Sequence, residues 1–353
     1  MGMSMSNGVR AGMMVIRNRA NRVNSLIAGS GSPGSARANP GLPLPAIKEN
    51  ATHVGLLLLL MLSLSTSVAR ATDPATTTAD TTVPTVNKWQ YTLFNPVPVD
   101  QMRGMDVDRP DKTNTPHTVD AGHLTIETGL VDYTFDHDRY YTPDSRIETA
   151  GFGLFNFRLG VLNNLEVNLT TSPEQWLRST DNTTHQSMRQ NGISDTTVGA
   201  TLNLWGNDGS DDAVWSTSLG IQPELKIPTA RQSIGNGHAE FTFGLPFVMN
   251  LPAGFHLGMQ PTVGWQRNTT NTGDVTGWQN TIAVDRVFFG KFDPYIEYWA
   301  YASTERHVIA PQTLDVGLTV AITDNLVWDA AVNFGLNRAS TQLECTTGFS
   351  VRF

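Results

Sequence analysis

Apolar and polar positions alternate along Cys345 to Phe353. Cys345, Thr347, Phe349, Val351 and Phe353 share one face, while Glu344, Thr346, Gly348, Ser350 and Arg352 share the other. Successive side chains of a strand point to opposite faces, so this pattern predicts a strand with one oily and one watery side. The same period fills most of the chain before it. Phe241, Phe243, Leu245, Phe247, Met249 and Leu251 keep one phase, and Phe255, Leu257, Met259, Val263 and Trp265 keep another. Leu326, Trp328, Ala330, Val332, Phe334 and Leu336 run apolar, with Asp329, Asn333 and Asn337 opposite. Turn chemistry at Asn, Asp, Gly and Pro punctuates the alternation. Twelve strands are expected, at 123–135, 149–162, 165–171, 194–205, 213–227, 238–251, 255–267, 277–289, 292–303, 312–323, 326–337 and 343–353. Most are near the ~9 to 11 residues that cross a bilayer at a tilt. The expected fold is all-β, an antiparallel transmembrane β-barrel with an irregular amino-terminal segment.

The connections test this independently, because outer-membrane barrels have short periplasmic turns and longer external loops. Links after even strands are short: Asn163-Asn164, Pro252-Ala253-Gly254, Gly290-Lys291 and Asp324-Asn325, with GNDGSDD (206–212) a little longer. Links after odd strands run Asp136 to Glu148, Ser172 to Ile193, Thr229 to Gly237, Asn268 to Thr276 and Thr304 to Pro311. An even strand count places both ends of the barrel on the periplasmic side. Trp215 and Trp328 near one rim and Trp265 and Trp278 near the other fit two aromatic girdles. Asp132 and Arg286 fall in the lipid phase, which a bulge or a rim position would reconcile.

Upstream of the strands lies an export signal. Val54 to Val68 is an apolar run followed by Ala69, Arg70 and Ala71, which predicts signal cleavage after Ala71. The run is shorter than the ~20 residues of a spanning helix. Residues 1–52 place it unusually far in, as expected of a start codon assigned too far upstream or of a long extension. The expected division is 1–71, extension and cleaved signal; 72–122, tail and irregular segment; and 123–353, barrel. Asp73 to Val86 reads as a flexible tail. Lys88 to Gly122 is too irregular for a strand, and either lies beneath the barrel or folds into its lumen as a plug.

Charge narrows the function. The net charge of -8 with only 16% charged residues and no basic stripe argues against a nucleic-acid partner. A mean hydropathy of -0.21 does not exclude the membrane, since half of each strand faces water. The single cysteine, Cys345, leaves no internal disulfide, cysteine zinc site or CxxC pair. No cofactor or metal is implied. In the lumen phase stand Glu127, Arg158, Glu166, Glu224, Lys226, Glu240, His256, Asp285, Glu297, Asp315, Asp329, Glu344 and Arg352, the candidate pore-lining residues. They comprise nine acids against three bases, with His256 set aside. A hydrated lining of that kind concentrates cations. The competing arrangement is a packed lumen in which Arg158, Lys226 and Arg352 each bridge acids. Lumen-phase glycines, Gly160 and Gly348 among them, leave space or permit curvature. Asp136, His137 and Asp138 offer a cation site at the external rim, weighed against a solvated loop tip.

Two other function classes stand beside a channel. An outer-membrane lipase needs a serine activated by histidine, and His123, His137, His185, His238, His256 and His307 show no recognisable pairing with serine along a strand. A surface-binding barrel would use the Ser172 to Ile193 loop. Outer-membrane lipid is the expected environment, small molecules the cargo, and the barrel-assembly machinery a partner through the carboxy-terminal strand.

The chain resembles the outer-membrane family described as transporters of the phenol meta-degradation (MetA-type) pathway. The resemblance rests on Asp108-Arg109-Pro110-Asp111 with Thr113, Pro116, Thr118 and Val119; on Gly122-His123-Leu124 with Glu127; and on Asn203 to Gly209. It continues through Lys226-Ile227-Pro228-Thr229, Pro294-Tyr295-Ile296-Glu297, Asp315-Val316-Gly317-Leu318 and Gly348 to Phe353, covering about 105 to the end. It implies a barrel and the passage of small, aromatic or hydrophobic compounds.

Overall fold

Alternating side chains on short, β-branched and aromatic-rich segments build one antiparallel sheet that closes on itself. In the computed structural model, residues 87–138, 145–182, 184–208, 213–231, 234–306 and 308–353 are described. The apolar run 54–68, the cleavage point and the tail 73–86 lie outside them. The strands are β1 (Leu124–Asp138), β2 (Ser145–Leu162), β3 (Leu165–Thr171), β4 (Glu174–Asp181) and β5 (Gln186–Gly192). They continue as β6 (Thr196–Trp205), β7 (Thr217–Ile227), β8 (Glu240–Gly244), β9 (Phe247–Asn250) and β10 (Phe255–Arg267). The last are β11 (Asp274–Arg286), β12 (Phe292–Ser303), β13 (Gln312–Thr323), β14 (Leu326–Gly335) and β15 (Leu343–Arg352). Each pairs with its neighbour, and β1 pairs with both β2 and β15, which closes the ring.

Three wall positions are each filled by two strand halves, so the ring has twelve positions. β3 and β4 both pair with β2, on either side of Ser172-Pro173; β8 and β9 both pair with β7 and β10, on either side of Leu245-Pro246. Proline has no N–H to give to a ladder, which explains both interruptions. β5 and β6 are the third divided strand, pairing with β4 and β3.

The main departure from the sequence expectation is Ser172 to Ile193, expected as a loop. It continues the wall as β4 and β5, and β1 and β2 lengthen beside it. Polar residues occupy both faces of much of this ribbon, so no amphipathic contrast announces it. Its inner side instead gathers Ile147 and Leu177 against Ile234 of the β7–β8 link. Asp136, His137 and Asp138 are rungs of the β1–β2 ladder, opposite Ile147, Arg146 and Ser145, rather than a loop tip.

The outer surface is apolar, as lipid requires. Val167, Leu169, Leu225, Phe241 and Ile282 are exposed along it, and Trp265, Trp278, Trp205 and Trp215 are exposed near strand ends. The two charges in the lipid phase resolve differently. Leu130 is an extra residue between Gly129 and Val131 in the β1–β15 pairing, and this bulge turns Asp132 inward, where Thr346 Oγ1 donates to it. Arg286 stays outside at the end of β11, its guanidinium 5.1 Å and 5.0 Å from the Phe255 and Phe288 ring centroids.

Ile282→Arg, which puts a charge on the lipid face in the middle of β11, is expected to cost about 2–4 kcal/mol. Guanidinium titration of the barrel in phospholipid vesicles measures this loss.

Candidate functional site

The interior is organised by residues 96–123, a stretch whose prolines and scattered polar residues suit neither strand nor long helix. Two short 3-10 turns precede or begin it, at Lys88–Gln90 and Val99–Gln101. Both arms of the loop are held at the rim of short turns. His123 Nε2 lies 2.7 Å from the Val97 carbonyl, and Val97 N–H donates to Ala121 O at 3.0 Å. Arg103 donates to Asn163 O at 2.8 Å and Asp208 Oδ1 at 3.0 Å, while its own carbonyl accepts from Arg352 Nη1 at 2.7 Å. On the returning arm, Thr118 N–H donates to Asn207 Oδ1 at 2.9 Å.

Between those arms the loop reaches into the barrel and contacts the wall nearly all the way round. Irregular backbone leaves N–H groups without ladder partners, and each must find an acceptor when buried. Wall carboxylates and an amide supply them. Asp108 N–H donates to Glu127 Oε1 at 2.9 Å, Lys112 N–H to Glu297 Oε2 at 2.8 Å, Asn114 N–H to Gln260 Oε1 at 2.6 Å and Val119 N–H to Glu166 Oε2 at 2.8 Å. Those acceptors stand on β1, β12, β10 and β3. The excess of wall acid thus has a structural use that an alternation pattern does not show.

The loop also brings the missing cations. Arg109, 3% exposed, forms a forked pair with Asp329 at 3.0 Å and 3.2 Å and lies 3.7 Å from Asp132. Lys112 Nζ is 2.7 Å from Asp315 Oδ2, 3.8 Å from Glu344 Oε2 and 5.2 Å from the centroid of the Trp299 ring. Burial opposes its charge, but the carboxylates of Asp315, Glu344 and Glu297 outweigh that and raise Lys112 above the ordinary lysine range. From the wall, Arg158 bridges Glu166 at 2.9 Å, Glu127 at 3.1 Å and Asp108 at 3.6 Å. Space for the loop comes partly from glycine: a Cβ at Gly160 would stand 2.1 Å from the Asp120 carbonyl oxygen.

The sequence-derived residues therefore divide. Glu127, Arg158, Glu166, Glu297, Asp315, Asp329 and Glu344 meet the loop or its ion pairs. Lys226 bridges Asp195 and Glu240 at 3.1 Å and 3.0 Å, away from it, and Glu224 accepts from Thr242 at 3.2 Å. His256 pairs with Asp285 at 2.6 Å, both partly exposed. Arg352 departs from expectation: it donates to the carbonyls of Arg103 and Asp324 and to Asn325 Oδ1 rather than bridging acids. At a rim of tight turns, unpaired carbonyls are the nearest acceptors. Asp106, Asp108, Arg109, Lys112, Asn114 and His117 were not among the candidates, since nothing periodic marks them. The available signal was the imbalance of nine wall acids against three bases, which calls for cations from elsewhere.

His117 makes a contact of a kind familiar from hydrolases. Its Nδ1 is 2.6 Å from Asp106 Oδ2 and its Nε2 2.9 Å from Ser218 Oγ on β7. The serine oxygen also lies 2.9 Å from the Gly206 carbonyl oxygen. The arrangement straps the loop to the wall.

Arg109→Ala strands Asp329 and Asp132 without their cation, and breaking one side of a buried ion pair costs about 3–5 kcal/mol. In the refolded barrel this variant is expected to become cleavable by trypsin at Lys112, where the parent resists. Gly160→Ala is expected to produce the same cleavage by pushing the returning arm away from the wall.

Comparison with solved structures places the fold. An outer-membrane channel from Pseudomonas putida F1 superposes with a TM-score of 0.52 at 12% identity, covering 70% of this chain and 100% of that one. The KdgM porin matches with a TM-score of 0.42 at 12% identity over 65% of this chain and 99% of its own. The CymD monoaromatic hydrocarbon channel matches with 0.35 at 9% over 65% and 87%. No curated protein matches the chain. The family described as "Putative MetA-pathway of phenol degradation" matches residues 107–353, and with that span, which takes in the inserted loop from residue 107 and the whole barrel, the chain belongs to this family.

Proposed function

We propose that this protein is an outer-membrane channel for small molecules, whose lumen is closed from the short-turn end by residues 104–122. The observation that carries the reading is the nature of the filling. The barrel is occupied by a polar loop attached through hydrogen bonds and ion pairs, beside wall-to-wall pairs such as Arg158 with Glu166 and Lys226 with Glu240. Such contacts can be exchanged for water and solute, whereas a packed apolar core cannot. Family membership supports the same reading, as does the apolar outer surface bounded by exposed tryptophans. In this reading the short turns face the periplasm, β15 is the strand presented to the assembly machinery, and the cargo is a small aromatic or hydrophobic compound. No covalent chemistry is assigned to the barrel.

With the loop withdrawn, the wall retains Glu127, Glu166, Glu297, Asp315, Asp329 and Glu344 against Arg158 in the region it had occupied. Acid-lined water favours cations.

Planar-bilayer recordings under a salt gradient test this. The chain from residue 72 is expected to give low or intermittent conductance, and the same chain lacking 104–122 larger, cation-selective steps. Asp329→Asn with Glu297→Gln should then reduce the selectivity. Silence from both forms overturns the proposal, and phospholipid hydrolysis that disappears in His117→Ala replaces it with an enzyme.

A further inference from the structure

The β4–β5 ribbon carries a charge arrangement that the barrel itself does not explain. Successive residues of a strand alternate between faces, and residues opposed across an antiparallel pair share one. Leu177 packs inward, so its neighbours Trp176 and Arg178 point outward, together with Arg189 on β5 and Glu148 on β2. Arg178 stands directly opposite Arg189. Like charges so placed destabilise a strand pair. Two residues along β2 from Glu148, Arg146 joins the same face.

One carboxylate stands among these three guanidinium groups. Glu148 accepts from Arg146 at 2.8 Å and from the Tyr133 hydroxyl at 3.0 Å, while Arg178 Nη1 is 3.8 Å from its other oxygen. Arg189 is exposed, and its guanidinium meets no acid among the described residues. The other outward acid of β4, Glu174, lies four residues from Arg178 and accepts from Asn191 at 3.0 Å. The cluster therefore lacks an anion.

What flanks the cluster says what kind of anion fits. On its barrel side is apolar surface: Trp176 is 57% exposed and meets Phe152 edge-on, with ring centroids 6.4 Å apart. From Trp176 to Arg178 is two residues of strand, about 7 Å. On the far side the face turns hydroxylic, with the Thr180 and Ser187 oxygens 3.0 Å apart. Strand β2 has 18 residues, against the ~9 to 11 that cross a bilayer, so the arginines stand beyond the hydrocarbon. Apolar surface, cations and hydroxyls follow one another in the order of acyl chain, phosphate and sugar.

We infer that Arg146, Arg178 and Arg189 bind the phosphate groups of a glycolipid in the surrounding leaflet, whose acyl chains lie against Trp176 and Phe152. Guanidinium groups match phosphate oxygens in a forked geometry. A phosphate shared by Arg178 and Arg189 turns their repulsion into a bridge. Only the leaflet rests on the long links facing outward, as in the channel reading; the chemistry stands on the ribbon.

Binding of diphosphoryl lipid A to the refolded chain in uncharged detergent tests this by calorimetry, with heat-modifiable gel migration confirming the fold of each variant. Saturable binding is expected, weakened about ten-fold or more in the double variant Arg178→Gln, Arg189→Gln by the loss of charge-assisted hydrogen bonds. Lys291→Gln, which removes an exposed cation at the opposite rim, leaves it unchanged. Arg189→Gln alone supplies a second readout. Without lipid it should resist urea as well as the parent or better, because a like-charge pair is gone, and it should lose much of the shift that lipid A gives the parent. Unchanged affinity in the double variant, or an Arg189→Gln barrel less stable than the parent without lipid, overturns the inference. Inorganic phosphate, phosphatidylglycerol and dephosphorylated lipid A are each expected to bind more weakly, and equal binding of any one of them overturns the assignment to a phosphorylated glycolipid.

Discussion

The structure depends on how buried carboxylates are satisfied. Glu127, Glu166, Glu297, Asp315 and Asp329 point into a barrel from which much of the water is displaced, and a carboxylate left there alone would be costly. Each is instead matched by an N–H or a cation, and the inserted loop supplies many of both. The dependence is mutual. The loop has no ladder of its own, so its backbone needs the wall acids as much as they need Arg109 and Lys112.

That reciprocity explains why so irregular a stretch holds one path. Its arms are tied to the turns by Arg103, Thr118 and His123, and its tip is fixed by a backbone hydrogen bond to β12 and by ion pairs to β13 and β14. The closure is made of contacts that water can replace, which distinguishes it from a hydrophobic core. Charged groups in such a setting hold position strongly while paired and lose that hold once a partner departs. In the channel proposed above, the wall that holds the loop becomes an acid-lined passage once the loop withdraws.

Aromatic residues divide the labour by position. On the outer surface Trp265 packs against Phe241, with ring centroids 5.7 Å apart, where the strands meet lipid. Inside, Trp299 and the two β12 tyrosines occupy a face otherwise dominated by charge. The Asp106–His117–Ser218 contact joins the inserted loop to β7.

Much of the barrel was legible in the chain itself. A period of two is a local property, so the wall strands, their faces and the alternation of short and long links follow from adjacent residues. The lumen phase of Glu127, Asp315 and Asp329 follows for the same reason. Where local contrast fades, the reading failed: the polar ribbon β4–β5 looked like a loop because its pairing partners, and not its own pattern, make it strand. The bulge at Leu130 that turns Asp132 inward likewise belongs to the register between β1 and β15. The path of residues 104–122 lay furthest from reach. Alternation along the sequence determined a barrel with an acidic interior, but only tertiary structure decided what neutralises it, because Arg109 meets Asp329 and Lys112 meets Asp315 across more than two hundred residues of chain.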